Sequence, residues 1–336
     1  MKLNRLFGPT AVALLVFALA SIALSQAPAY RISQPYSHKN LTIFLIHGKN
    51  ETSKTNIITL PEALERRIFR VYETGEVNEL TVENISREFD VFIQSGDIVK
   101  GGKQDRVLAV SIIIPAQSGR VSIEAFCVES GRWQKRKNEE VGQFSSSNER
   151  IVTKDLKLAA NGSRSQQQVW NKVAEAQKKL SENLGGSVAA EESKTSLQLS
   201  LENGKVASNT DEFIRALAGV TSGKTDVIGY AFAVNGQINS ADIYVSNSLF
   251  KKLWPRMLKA AAVEAVANSR GVRLADPVKA DTVKGFLAEA DSGRESARPV
   301  SGSASVVTRE QKDNVVFEAR DDKQKLTVHK SYVKKN

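Results

Sequence analysis

Apolar positions along this chain follow two periods, and the change between them falls near the middle. From residue 41 to 133 the apolar runs are short and rich in Val, Ile and Phe. Segments 41–46, 68–73, 79–83, 90–94, 107–115 and 120–129 are predicted strands, separated by short polar turns that contain Gly. One short helix interrupts them: Thr59 stands as N-cap with Pro61 in the first turn. Strands so closely spaced predict an antiparallel sandwich or barrel-like lobe. Residues 134–150 are polar and read as a long irregular connection.

After that the period lengthens. Trp170, Val173, Ala174, Gln177, Leu180 and Leu184 recur at three- and four-residue steps, and Gly185-Gly186 follows, which predicts an amphipathic helix over 165–184. A shorter helix is expected over 211–218. Strands at 226–234 and 241–245 should turn through Asn235-Gly236. A long helix follows over 246–268, in which Pro255 should make a kink or a join. A helix at 281–290, a mobile Ser/Gly/Arg-rich loop at 291–305 and a hairpin around Asp321-Asp322 close the chain. The fold class is α+β: a β-rich lobe over 38–145 packed with a helix-containing lobe over 163–336, both in one larger unit.

The first residues stand apart from this pattern. Lys2 and Arg5 precede an uncharged run from Ala11 to Leu24, and Ala23 and Ser25 occupy the −3 and −1 positions of a cleavage site. Residues 1–25 therefore read as a secretory leader, and the mature chain as secreted or periplasmic. An uncleaved anchor is the alternative, although a spanning helix needs about 20 apolar residues. No later segment approaches that length.

Composition adds bounds. The chain is 41% hydrophobic and 25% charged, a globular balance. Its net charge is +10, of which Lys2 and Arg5 supply 2, leaving +8 beyond the leader. That excess suits solubility first, and then a polar or anionic small molecule or an envelope component as partner. Nucleic acid is not indicated, because the basic residues are scattered among acids with no aromatic-interleaved stripe. Cys127 is the one cysteine, so no intramolecular disulfide exists. With His38, His47 and His329 far apart, no metal-ligand spacing occurs, and no cofactor is indicated.

Three blocks carry candidate chemistry. Residues 218–225 fit a permissive phosphate-loop pattern ending in Gly-Lys-Thr, but that chemistry needs a strand before the loop and a helix after it. Here the order is reversed, and the motif is set aside. In the block from Ser95 to Arg106, Gly101 and Gly102 permit positive φ and an anion nest, with Lys103, Gln104 and Arg106 alongside. Asp97 and Asp105 could serve a ligand, or could simply pair within a tight turn. In the block from Cys127 to Trp133, Cys127 and Glu129 share one strand face. A nucleophilic thiol needs a base or cation, and Glu129 has the wrong sign, so a buried cysteine beside a Glu129–Arg132 pair capped by Trp133 is the simpler reading. The three histidines read as surface or turn residues, and Asp242 as a cap or a cleft residue.

These blocks resemble a known family, the ADP-ribosylglycohydrolase- and rhodanese-phosphatase-associated protein domain. The resemblance rests on 39–44, on Gly96-Asp-Ile-Val-Lys-Gly-Gly-Lys-Gln-Asp-Arg106 and on Cys127-Val-Glu-Ser-Gly-Arg-Trp133. It continues through 165–170, 241–244 and 249–254, and so runs from about residue 38 to 270. It implies a link to ADP-ribose or related metabolism by association, without a mechanism. Gln104, Asp105, Arg106, Glu129 and Arg132 are the positions where the family pattern falls.

Two functional readings result. In the first, a binding or scaffold module holds a polar or anionic ligand through Gly101, Gly102, Lys103, Gln104, Arg106, Cys127, Arg132 and Trp133. In the second, Asp97, Asp105 and Glu129 act as acid and base in a hydrolase for a phosphorylated or glycosidic molecule, which needs carboxylates roughly 5–10 Å apart. The first is preferred, since no nucleophile–base pair is recognisable.

Overall fold

The structure is a computed structural model that describes residues 30–52, 56–131, 144–150, 153–269, 277–302 and 304–335. The leader, Arg132, Trp133 and most of the expected connection after them lie outside the described residues. The architecture is α+β, as the two periods predict.

Its largest element is a nine-stranded antiparallel sheet. In spatial order it runs Arg31–Ile32, Leu41–His47, Val227–Val234, Gln237–Tyr244, Leu326–Lys334, Asn314–Asp321, Ala304–Glu310 and Arg294–Ser301, with Tyr36–His38 also paired to Leu41–His47. The strand Leu41–His47 thus lies beside Val227–Val234, in register from Leu41↔Val234 to Leu45↔Tyr230. Pairing therefore crosses the boundary expected between the two lobes.

Alternation along these strands sends side chains to two different cores. Leu41, Ile43, Leu45, Tyr230 and Phe232 face the helices Gln166–Leu184, Gly204–Leu217 and Asn247–Ala267. Phe44, Ile46, Ile243, Val316 and Tyr332 face the opposite way, against Val283, Phe286 and Leu287 of the helix Ala280–Asp291. The β-rich lobe supplies the remaining sheets. Six strands run in the order Phe144–Arg150, Asp97–Gly101, Arg106–Leu108, Arg120–Cys127, Glu79–Asn84 and Phe69–Glu73, curving into a nearly closed barrel. Three more, Ile112–Ile114, Asp90–Ile93 and Ile57–Thr59, form a separate small sheet in which the last runs parallel to Asp90–Ile93.

Local sequence explains most element ends. Thr59 and Glu62 form a reciprocal capping box on the helix Leu60–Glu65. Ser165 caps Gln166–Leu184 at its start, and Gly185 ends it with φ 66°. Two expectations change. The long helix continues through Pro255 and is not joined there, with Pro255 itself exposed while Leu253, Trp254, Met257 and Leu258 remain buried. The segment expected to be a mobile loop at 291–305 is instead an edge hairpin, Arg294–Ser301 paired with Ala304–Glu310. Its polar composition suits an edge strand, whose outer face meets water. Among the described residues no helix is long and apolar enough to cross a membrane.

Candidate functional site

The two unusual sequence blocks are placed inside the β-rich lobe, and their polar groups are largely bonded within the chain. Arg106 is fully buried. Its Nη2 donates to Glu73 Oε1 at 2.8 Å, and its Nη1 donates to the carbonyls of Glu76 at 3.1 Å and Val77 at 2.7 Å. The guanidinium therefore clamps the turn after the strand Phe69–Glu73. Gly101 and Gly102 do take positive φ, 120° and 59°. Their turn meets an anion from its own chain: the Gly101 N–H donates to Asp105 Oδ1 at 3.1 Å. A Cβ on Gly102 would lie 2.5 Å from Phe144 and 2.8 Å from Glu73 Oε2, so the backbone needs glycine for close packing. Lys103 is exposed and its N–H donates to Glu73 Oε2 at 3.3 Å, while Gln104 is buried.

Cys127 lies directly across from Arg106 on the neighbouring strand. Its N–H donates to Gln166 Oε1 and its carbonyl accepts from Gln166 Nε2, both at 2.8 Å. One side-chain amide thus continues the sheet ladder and ties the start of the helix Gln166–Leu184 to the strand end. Burial pushes the thiol up to about 11, against the pull of Arg106 and with Glu73 and Glu129 adding to the rise. A thiol held neutral in this way is not a nucleophile at neutral pH. Glu129 is fully buried beside it.

Asp97 belongs to a different cluster. Its carboxylate accepts from the Gln94 N–H at 3.0 Å and from Arg256 Nη1 at 2.9 Å, with Arg150 Nη1 at 3.8 Å. Arg256 also donates to the Ser147 carbonyl at 2.9 Å. Asp97 therefore pins the long helix to the β-rich lobe, whereas Asp105 and Glu129 sit in the barrel wall. The structure brings Arg106, Cys127 and Glu129 together and leaves Asp97 apart from them. Residues 218–225 run from a helix end into a strand, which keeps them out of a phosphate loop; Lys224 Nζ donates to the Val220 carbonyl at 2.7 Å.

A ligand-sized cavity lies elsewhere. It is a cleft of about 860 Å³ on the face of the large sheet that the helix Ala280–Asp291 only partly covers. Ile228 and Ile243 contribute apolar wall, and Tyr30, Gly48 and Thr327 add to the lining. Its charged residues are five cations, Lys49, Arg309, Arg320, Lys325 and Lys330, against three carboxylates, Glu51, Asp291 and Glu318. Glu318 anchors the cations. Its Oε2 accepts from Arg309 Nη1 at 2.6 Å, and its Oε1 accepts from Arg320 Nε at 2.8 Å and from the Thr327 hydroxyl at 2.6 Å. Lys330 Nζ stands 4.0 Å from it and 3.1 Å from Asp291. Burial alone would raise the Glu318 carboxyl, but the bonds from Arg320, Thr327 and Arg309 outweigh it and lower it to about 2. Arg309 is also held by Glu295 and Lys330 by Asp291, so these three cations face three carboxylates, and Lys325 has no ion-pair partner among the described residues.

None of the candidate site residues among the described residues lines this cleft. Its own residues come largely from interior strands of the large sheet and the turns between them, where a weak signal existed: Glu318 and Arg320 share one face of a largely apolar strand. Asp242 and His329 are also misplaced by the sequence reading. Both are buried in mid-strand, His329 bonding Asp242 through Nε2 at 3.0 Å.

The fold and cleft define an antiparallel α+β protein with a cation-rich cavity on its large sheet. The chain belongs to the family of the ARG and Rhodanese-Phosphatase-superfamily-associated Protein domain, which matches residues 29–334 and so extends past both ends of the stretch legible in the motifs. Neither a search of the curated proteins nor one of the solved structures gave a match.

Proposed function

We propose that this chain is an exported binding module that holds an anionic small molecule in the cleft between the large sheet and the end of the helix Ala280–Asp291. The observation that carries the reading is the cleft itself, about 860 Å³ with two more cations than carboxylates. A concave site of several hundred Å³ with apolar walls and a few convergent charged groups suits a small ligand. Arg320 and Lys325 are the cations placed to meet it, because Arg309 and Lys330 are already shared with Glu295 and Asp291. Export rests on the leader alone. The hydrolase built on Asp97, Asp105 and Glu129 draws no support from their placement, since none of the three reaches the cleft and Asp97 is held by Arg256.

Thermal shift followed by calorimetry, at low and at raised salt, tests this with phosphate, pyrophosphate, ADP-ribose and a tricarboxylate. At least one anion should raise the melting temperature beyond an ionic-strength control. Combining Arg320→Ala with Lys325→Ala should weaken that anion about tenfold or more, as loss of two charge-assisted contacts implies. A panel that shifts nothing beyond the salt control, or binding untouched by the double variant, overturns the assignment.

A further inference from the structure

A second constellation lies on the face of the large sheet opposite Ile228 and Ile243, beside Tyr244, which also lines the proposed cleft. Ser111 Oγ and His329 Nδ1 are 2.9 Å apart, and His329 Nε2 and Asp242 Oδ1 are 3.0 Å apart. His329 and Asp242 come from the paired strands Leu326–Lys334 and Gln237–Tyr244, and Ser111 from the segment leading into Ile112–Ile114. The imidazole is held on two sides by rings, stacked on Tyr244 at 4.7 Å and edge-on to Phe92 at 6.1 Å.

The direction of every proton in this chain follows from its neighbours. Burial works against the Asp242 charge, but Lys157, 3.9 Å away, and the bond from His329 hold the carboxyl well below its ordinary range. An ionised Asp242 accepts, so His329 carries its proton on Nε2 and presents the Nδ1 lone pair to Ser111. The Ser95 N–H already donates to Ser111 Oγ at 2.9 Å, which directs the hydroxyl proton towards Nδ1. A base beside the hydroxyl and a carboxylate behind the base are the parts an activated serine needs.

Ser111 also meets open space. A slot of about 20 Å³ is lined by Ser95, Ser111, Asn161, Arg298, Phe317 and Ser331. That is room for one water-sized group, so an acyl ester would enter by its carbonyl oxygen with the rest of it outside the slot. Asn161 accepts from the Ser95 hydroxyl through Oδ1 at 2.6 Å, which leaves its amide N–H groups as donors for a developing oxyanion.

We propose that Ser111, His329 and Asp242 form a serine acyl-transfer site for short-chain acyl esters. Ser111 Oγ adds to the acyl carbon as its proton passes to His329 Nδ1. The adduct collapses with loss of the C–O bond to the alcohol, which departs carrying that proton. Water then gives a proton to Nδ1 and its oxygen to the acyl carbon, and Ser111 leaves with the proton as the carboxylic acid is released. Asp242 orients the ring and balances the imidazolium throughout.

The test uses the folded, unmodified protein with methanesulfonyl fluoride, a small serine-directed reagent. Its sulfur–fluorine bond is replaced by a bond to Ser111 Oγ, and fluoride and a proton are lost. Peptide mass spectrometry should find a single sulfonyl adduct, on Ser111. H329N should lower the labelling rate about 100-fold or more, and S111A should abolish both the adduct and p-nitrophenyl acetate hydrolysis, with folding followed by circular dichroism. Wild-type protein that stays unlabelled, or that carries its adduct elsewhere, overturns the proposal, since a hydroxyl serving only to lock the strands would not react. Anion binding in the cleft is read by calorimetry and stands or falls separately.

Discussion

The advantage of Glu264→Gln over the wild type should grow by about 3 kcal/mol between pH 4 and pH 8. Glu264 lies on the buried face of the helix Asn247–Ala267, 4% exposed. Its Oε1 accepts from Asn239 Nδ2 at 3.2 Å and from Asn268 Nδ2 at 3.4 Å, and no hydrogen bond reaches Oε2. Burial raises the carboxyl from its ordinary 4.5 to about 7, although Lys157 and the Asn239 bond oppose the rise. Folding therefore favours the protonated acid. That contribution is complete below pH 4.5 and is lost as pH climbs through about 7. The gap between 4.5 and about 7, at about 1.4 kcal/mol for each pH step, gives about 3 kcal/mol. Glutamine is neutral throughout and removes this dependence. Its buried amide shifts stability equally at every pH, so the change with pH is the clean readout. Urea unfolding at pH 4, 6 and 8 measures it, and the midpoints should separate by about 1–2 M over that range. Midpoints that move in parallel would refute both the burial of a charge at Glu264 and the weakness of Lys157 as its counterion.

Two further outcomes test the cleft and the barrel. Glu318 has the opposite sign: its carboxyl is lowered from 4.5 to about 2, so its contribution is present above pH 4.5 and lost as pH falls through about 2. Glu318→Gln should cost about 3 kcal/mol at pH 7 and almost nothing near pH 2, a difference that urea unfolding at the two pH values would expose. Arg106→Met should cost about 3–5 kcal/mol, because Glu73 and the Glu76 and Val77 carbonyls lose their donor inside the lobe. An Arg106 variant that unfolds at the wild-type urea concentration would show the residue to be dispensable for the fold.

Much of the fold was legible because its signals are local. Ser165, Thr59 and Gly185 end their helices as their residue types require, and Asn235-Gly236 turns the hairpin it predicts. What escaped reading depends on distance along the chain. Nothing near Leu41 announces that its partner is Val234, and nothing in the polar stretch 294–301 announces a strand, since its apolar contacts are supplied by neighbours such as Val306 and Val307. The histidine reading failed for the same reason. His329 has no motif partner within reach in sequence, because Asp242 and Ser111 stand 87 and 218 residues away. Only the sheet order brings them to one ring.

The glycine-rich block reads differently in the structure for a different physical reason. Gly101-Gly102, Asp105 and Arg106 were picked out because glycine pairs and adjacent charges are what an anion nest needs. A tight turn inside a barrel wall needs the same residues. There the close approach is to Phe144, the anion is Asp105 itself, and the cation serves the Val77 carbonyl. Composition cannot separate the two uses, since both demand positive φ and satisfied charge. What separates them is whether the last hydrogen bond is made by the chain or left for something else. At Gly101 the chain makes it. In the cleft, Arg309, Arg320 and Lys330 are matched by Glu318, Glu295 and Asp291, and Lys325 stands beside them with no ion-pair partner among the described residues. That unmatched cation, invisible until the strands are aligned, is what favours the cleft as the proposed binding site, while Arg106, Gly101 and Asp105 make their bonds within the β-rich lobe.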